Sequence, residues 1–190
     1  RTIAMLDHFD ILAPFYDRLM GAPDVARLAQ LLRLPSAGCL LDLGGGTGRV
    51  ALPLRRMVGR VVVSDPSGRM LAKARGKRLD AVCARSEFLP FPDGSFDRVL
   101  VVDALHHFAD QPAAMGDIAR VLKPGGRVVV EEFDADRTVV RMAALAEKFA
   151  WMQSRFYRPG EIRQMMRLRG LKAEIAARHR LAAWVVGDKP

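Results

Sequence analysis

The stretch Cys39-Leu40-Leu41-Asp42-Leu43-Gly44-Gly45-Gly46-Thr47-Gly48-Arg49-Val50 decides the fold. An apolar run closes on an acid, and four glycines then crowd into five positions ahead of a helix-compatible segment. That order reads as strand, tight turn and helix start. Glycine is required because so sharp a turn demands positive φ and because a ligand must approach bare backbone. The stretch is a ligand loop, and the glycines alone leave the ligand open.

Two ligands compete for it. Gly46-x-Gly48-x-x-Ala51 fits the dinucleotide fingerprint, with Asp65 nineteen residues past Gly46 where a ribose-binding acid is expected. That ligand would put a pyrophosphate beside Asp42. A carboxylate repels a phosphate in a partly buried site and favours an ammonium group. A nucleoside with a cationic amino acid tail and no phosphate therefore fits better, and that description is S-adenosylmethionine.

Beyond Gly38, strand and helix patterns alternate, which means a parallel sheet with right-handed crossovers. Strands are expected at Leu40 to Leu43, Arg60 to Asp65, Ala81 to Cys83, Phe96 to Val102 and Arg127 to Phe133. Between them lie helices at Thr47 to about Met57, after the cap Ser67, and at Gln111 to Leu122, the last stopped by Lys123-Pro124-Gly125-Gly126. Helices at Arg137 to Met152 and Pro159 to Leu168 follow. Leu171 to Ala177 and Leu181 to Val186 then form a last strand pair, and the short link Arg178-His179-Arg180 requires an antiparallel hairpin. The expected architecture is α/β, a Rossmann-like doubly wound mixed sheet of seven strands with helices on both faces.

Upstream, apolar residues from Ile3 to Met20 recur at helical spacing around Pro14, and a further helix runs from Pro23 towards Pro35. Residues 1–36 are expected as a helical lid or cap, or as a plain cover for the sheet. Residues 37–190 form the core of the same single domain.

With 190 residues and 50% hydrophobic composition, the chain suits one well-cored domain. No apolar run approaches the roughly 20 residues of a membrane span, and the start shows no signal-peptide pattern. Cys39 and Cys83 sit in apolar sequence and read as buried thiols, which argues against a disulfide framework or metal site. A cytoplasmic protein is expected. The net charge of +9 is spread over scattered arginines without a basic tail, so it aids solubility more readily than it marks nucleic acid binding.

The chain resembles the class I S-adenosylmethionine-dependent methyltransferases, within them the ubiquinone/menaquinone-biosynthesis-like (type 11) group. The resemblance rests on Leu41-Asp42-Leu43-Gly44-Gly45-Gly46-Thr47-Gly48, Ser64-Asp65-Pro66-Ser67-Gly68-Arg69-Met70-Leu71, Leu89-Pro90-Phe91-Pro92-Asp93-Gly94-Ser95-Phe96-Asp97, Ala104-Leu105-His106-His107-Phe108 and Val121-Leu122-Lys123-Pro124-Gly125-Gly126-Arg127. It implies methyl transfer from S-adenosyl-L-methionine, leaving S-adenosyl-L-homocysteine, to a small-molecule acceptor at oxygen, carbon or nitrogen, quinone-like among the options. A non-catalytic binding module and an RNA or DNA methyltransferase are the alternatives, and a monomer or homodimer is expected.

The resemblance also assigns roles. Asp42 lies near the ammonium group, with Gly44, Gly45, Gly46, Thr47 and Gly48 around the methionine moiety. Asp65 can accept both ribose hydroxyls, since a carboxylate has two acceptor oxygens. Pro66 and Met70 pack against adenine; Ser86 and Glu87 follow Arg85, which occupies the family's adenine-edge position. Arginine cannot accept a hydrogen bond, so either Ser86 reads the base while Arg85 faces solvent, or base recognition is weakened. Val102 and Asp103 complete the pocket, and Tyr16 with Asp17 closes over it.

His106 and His107 are the candidate general bases, with His107 favoured; the bland alternative is one packed and one solvated imidazole. Phe133, Trp151, Met152, Phe156 and Tyr157 offer an aromatic surface to the acceptor or simply form core. Arg155 and Arg158 suit an anionic group on that acceptor.

Overall fold

The structure is a computed structural model that describes residues 22–137, 155–179 and 181–190. The expected helix over Ile3 to Met20 and all but the first residue of that over Arg137 to Met152, and with them Tyr16, Asp17, Trp151 and Met152, lie outside these residues.

The first described helix, α1 (Val25–Leu31), starts where the Asp24 side chain accepts the N–H of Arg27 at 3.0 Å. It leads into β1 (Ser36–Leu43), α2 (Ala51–Leu54), a 3-10 turn (Arg55–Met57) and β2 (Val58–Asp65). Next come α3 (Gly68–Gly76), β3 (Asp80–Cys83), β4 (Phe96–Val102), a second 3-10 turn (Leu105–His107) and α4 (Gln111–Val121). β5 (Leu122–Phe133), α5 (Pro159–Leu168), β6 (Lys172–His179) and β7 (Ala182–Asp188) complete the order. The seven strands form one sheet in the order β3-β2-β1-β4-β5-β7-β6. β1 to β5 pair in parallel, and β7 runs antiparallel to both β5 and β6.

Strand alternation divides the apolar residues between two faces. Leu41, Leu43, Val99 and Val101 pack with Met115, Ile118, Ile162 and Met166 of α4 and α5, whereas Leu40, Val61, Val63 and Leu100 pack with Leu28, Ala51, Leu54 and Leu71 of α1 to α3. Most of these are wholly buried, and each large side chain so buried contributes about 1.5–3 kcal/mol. The result is a rigid three-layer frame whose strand ends carry the polar residues Asp42, Asp65, Asp103, Glu131 and Glu132.

Several expected boundaries move. The helix after the glycine turn begins at Ala51 instead of Thr47, because Gly46 and Gly48 hold φ of +53° and +72°, which a right-handed helix cannot include. The Lys123-Pro124-Gly125-Gly126 segment ends α4 and belongs to β5, which pairs Leu122 with Phe96 before a register shift. Arg178 and His179 are the last residues of β6, paired with Ala183 and Ala182, so the hairpin is tighter than its sequence suggests. Cys83 is exposed and Cys39 half-buried, contrary to the expected buried thiols. Cys83 ends the edge strand β3, which has a neighbour on one side only.

Candidate active site

The glycine turn stands at the end of β1, in the middle of the sheet. Gly44 holds φ of +72°, and a Cβ on it would come within 2.5 Å of the Ala104 Cβ. Backbone conformation and close approach both demand glycine here. The Gly44 N–H donates to the Ser64 carbonyl at 2.8 Å, which ties the turn to β2. Thr47 is wholly buried at its foot.

Asp65, the last residue of β2, fixes the other side. Its Oδ2 accepts the N–H of Gly46 at 3.0 Å, and its Oδ1 accepts the N–H of Ser67 at 2.8 Å. Ser67 in turn caps α3 by accepting the N–H of Met70 at 3.2 Å. One carboxylate thus joins the glycine turn to the start of the next helix. Met70 is buried beneath the turn, with its sulfur 3.9 Å from where a Gly46 Cβ would lie. Pro66 instead lines the open cavity.

Asp42 is almost fully buried and its Oδ2 has no hydrogen-bond partner. Burial pushes its carboxyl up to about 7, against the N–H donated by Ala51 and the nearby Arg49 charge. An orphaned acceptor of this kind calls for a donor, and a cationic one satisfies it best. Asp103, at φ +50°, faces Arg49 at 3.8 Å and is raised to about 6 by burial and by the charge of Glu132. Glu131 accepts the Trp184 indole N–H at 2.9 Å and is raised to about 7 by burial and by Asp103. Sequence reading missed Arg49, Glu131 and Glu132, although a paired acid closing a buried strand is a visible signal.

A cavity of about 250 Å³ opens beside the turn. Leu43, Gly44, Ser64 and Pro66 line one wall; Ala84, Arg85, Ser86 and Glu87 line another, and His107, Phe108 and Ala109 a third. Of these, Leu43, Ser64, Ala84, Phe108 and Ala109 carried no separate sequence signal. The Ser64 hydroxyl has no partner, a second orphan at this site. Glu87 is buried and accepts the Asp110 N–H at 3.0 Å and the Arg85 Nε–H at 3.3 Å. Burial raises its carboxyl, and these hydrogen bonds outweigh burial to leave it below the ordinary range. Arg85 itself is 62% exposed, paired with Glu87 and 5.9 Å from the Phe88 ring.

The two histidines part company. His107 is exposed on the cavity wall, and crowding by its surroundings and the neighbouring His106 lowers its pKa. Water reaches its ring, so the desolvation acts at less than full strength; the direction keeps the imidazole neutral. His106 is 5% exposed, with Nδ1 2.7 Å from Oε1 of Glu132. Phe156 stacks on it at 4.5 Å and 15°, and Phe133 meets it edge-on at 5.9 Å. Arg155 lies 5.0 Å over Tyr157, and Arg158 pairs with Asp136 at 3.7 Å. Among the described residues no His, Cys, Asp and Glu cluster suits a metal ion, and no helix is long and apolar enough to cross a membrane.

A mostly parallel seven-stranded sheet with a reversed β7, a glycine turn after β1 and an acid ending β2 define the class I methyltransferase fold. Residues 41–130 match the family described as a methyltransferase domain. The ubiquinone/menaquinone biosynthesis C-methyltransferase UbiE of Hahella chejuensis is 35% identical over 143 residues, 66% of this chain and 57% of that one. The demethylmenaquinone methyltransferase of Thermus thermophilus is 43% identical over 102 residues, 50% of this chain and 46% of that one. A structure described as an S-adenosylmethionine-dependent methyltransferase, possible histamine N-methyltransferase, from Thermotoga maritima superposes with a TM-score of 0.78 at 25% identity, over 96% of this chain and 98% of that one. Residues 41–130 are thus a methyltransferase domain, set in the fold of the S-adenosylmethionine-dependent methyltransferases. The chain spans about half the length of the relatives it matches in sequence.

Proposed function

We propose that this chain catalyses methyl transfer from S-adenosylmethionine to a small aromatic acceptor of the quinol kind. The observation that carries the reading is the orphaned, buried Asp42 Oδ2 beside a turn in which Asp65 already grips the Gly46 backbone. Asp42 and the glycine turn would hold the ammonium end of the donor, Asp65 its ribose, and Ser86 with the Glu87 backbone its base. Arg85, drawn to Glu87, leaves that edge to Ser86. Bound S-adenosylmethionine supplies a sulfonium methyl, an electrophile that needs only an aligned acceptor.

The acceptor side is aromatic. Phe133 and Phe156 meet edge to face at 5.9 Å around His106, a wall suited to a flat ring. The names of the relatives from Hahella and Thermus point to quinone-type acceptors. The test is transfer of a labelled methyl group to 1,4-dihydroxynaphthalene kept reduced, with histamine as the amine probe. Label in the naphthol product is expected. Label in histamine alone would replace the quinol acceptor, and no label in any probe would overturn methyl transfer to this class.

A further inference from the structure

We propose that the outer surface of α2, the 3-10 turn after it and the end of α3 dock this chain on an anionic lipid bilayer, with arginines on the headgroup phosphates and Leu52 set among them. The inference goes beyond the methyl transfer reading and does not rest on it.

The charge of the chain is gathered, not scattered as the sequence suggests. Between Arg55 and Asp80 eight basic residues stand against two acids, so this stretch carries +6 of the chain's +9. Of the acids, Asp65 serves the glycine turn and Asp80 pairs with Arg60 at 2.8 Å. Arg55, Arg56, Arg60, Arg75 and Arg78 are all exposed. The fold brings them together. Arg55 Nη1 donates to the carbonyls of Lys77 and Arg78 at 3.4 and 3.5 Å, joining the 3-10 turn to the end of α3. Arg75 reaches the Ala81 carbonyl of β3 at 3.2 Å, next to the Arg60 and Asp80 pair.

Helix-end stabilisation does not account for so many cations. The C-terminus of α3 amounts to roughly half a negative charge, which one basic side chain already satisfies; further arginines repel one another. Arg78 stands just past α3 at φ of +59°, a conformation that glycine adopts without strain. An arginine kept in that conformation, in a crowd of like charge, calls for an anionic partner.

The chemistry of the partner follows from what accompanies the charge. α2 buries Ala51 and Leu54, while Leu52, Pro53, Arg55 and Arg56 face outward, Leu52 at 39% exposure. Arginines three and four positions after an apolar side chain share its helix face, the pattern of a segment that lies in a membrane interface. Residues 51–80 contain no Phe, Tyr or Trp, so the surface gives nucleic acid bases nothing to stack on. Lipid phosphates need only the guanidinium forks, which match them in bidentate geometry.

The test is co-sedimentation of the full chain with vesicles of phosphatidylcholine, alone or with about one quarter phosphatidylglycerol. Binding is expected to the phosphatidylglycerol vesicles only, and to fall at least about tenfold from about 0.1 to about 0.5 M salt, as exposed charges are screened. Arg56→Glu should weaken it about tenfold or more, since each cation near such a surface contributes about a factor of five. Arg78→Gly relieves the backbone as it removes a charge, so it should unfold at no lower a temperature than wild type and still bind about fivefold more weakly. Leu52→Ser leaves the charge intact and should also weaken binding, which separates lipid insertion from charge alone. Equal binding to both vesicle types, no binding at low salt, or full binding by folded Arg56→Glu overturns the proposal. Tighter binding to single-stranded RNA than to the phosphatidylglycerol vesicles, unaffected by Leu52→Ser, overturns it in favour of nucleic acid. Neither vesicle nor RNA supplies a methyl donor, so these outcomes leave the methyl transfer reading to its own test.

Discussion

Oδ2 of Asp65 accepts the backbone N–H of Gly46 at 3.0 Å, joining the end of β2 to the turn after β1. The acid expected to bind ribose therefore also sets the shape of the loop expected to bind the amino acid. Both ends of the proposed donor site are then organised by one side chain, which would lower the ordering cost of binding.

The turn tolerates no side chain at its first glycine. Gly44→Ala must place a Cβ 2.5 Å from that of Ala104 at φ of +72°. We expect a loss of about 1–3 kcal/mol in urea unfolding, the cost of a strained left-handed residue, together with weaker S-adenosylhomocysteine binding. A variant as stable as wild type would show that the turn relaxes freely.

Three carboxyls, Asp42 buried and Asp103 and Glu131 half-buried, titrate against the fold. Asp42 and Glu131 are raised to about 7 and Asp103 to about 6, all first by burial. The folded state holds these protons where the unfolded chain, at its ordinary values near 4, has released them. Their stabilising effect is full below that pH and is lost as pH rises towards 7. The Tm of the ligand-free protein should fall between pH 5 and 7.5, and Asp42→Asn should flatten the slope. An ammonium group at Asp42 favours the carboxylate, so binding S-adenosylhomocysteine at pH 6 should release a proton. Calorimetry in two buffers of different ionisation enthalpy reads this directly; equal heats would contradict it.

Arg85, expected at the adenine edge, is paired with Glu87 and 62% exposed. Arg85→Ala is expected to change S-adenosylhomocysteine affinity by less than about fivefold, since an ion pair whose guanidinium is 62% exposed contributes at most about 1 kcal/mol. Arg85→Asp sets a second acid beside Glu87 and should not improve on it. A loss of more than about 20-fold in the alanine variant would mean that the guanidinium contacts the ligand.

Much of this was legible because burial leaves a pattern. The run Val61-Val62-Val63 reads as a central strand, and β4 and α5 fall at their expected ends. Boundaries failed where backbone geometry, not hydrophobicity, sets them: at Gly48, whose positive φ delays α2, and at Lys123 to Gly126, drawn into β5 by pairing with β4. In the site, Asp42, Asp65 and the glycines announce themselves by spacing. Glu132 stands in a visible pair of acids at the end of a buried strand, but its contact with His106, 26 residues away, is made only by the fold. The same contact divides two histidines that sequence hardly separates.

The central claim is that this chain holds S-adenosylmethionine through Asp65 and the glycine turn. Isothermal titration with S-adenosylhomocysteine, comparing wild type with Asp65→Ala, tests it most directly. Wild type should bind with one site per chain, and the variant should lose at least about tenfold in affinity, the equivalent of one charged hydrogen-bonding partner. A wild type that binds no S-adenosylhomocysteine, or a folded Asp65→Ala that binds it equally well, would contradict the account.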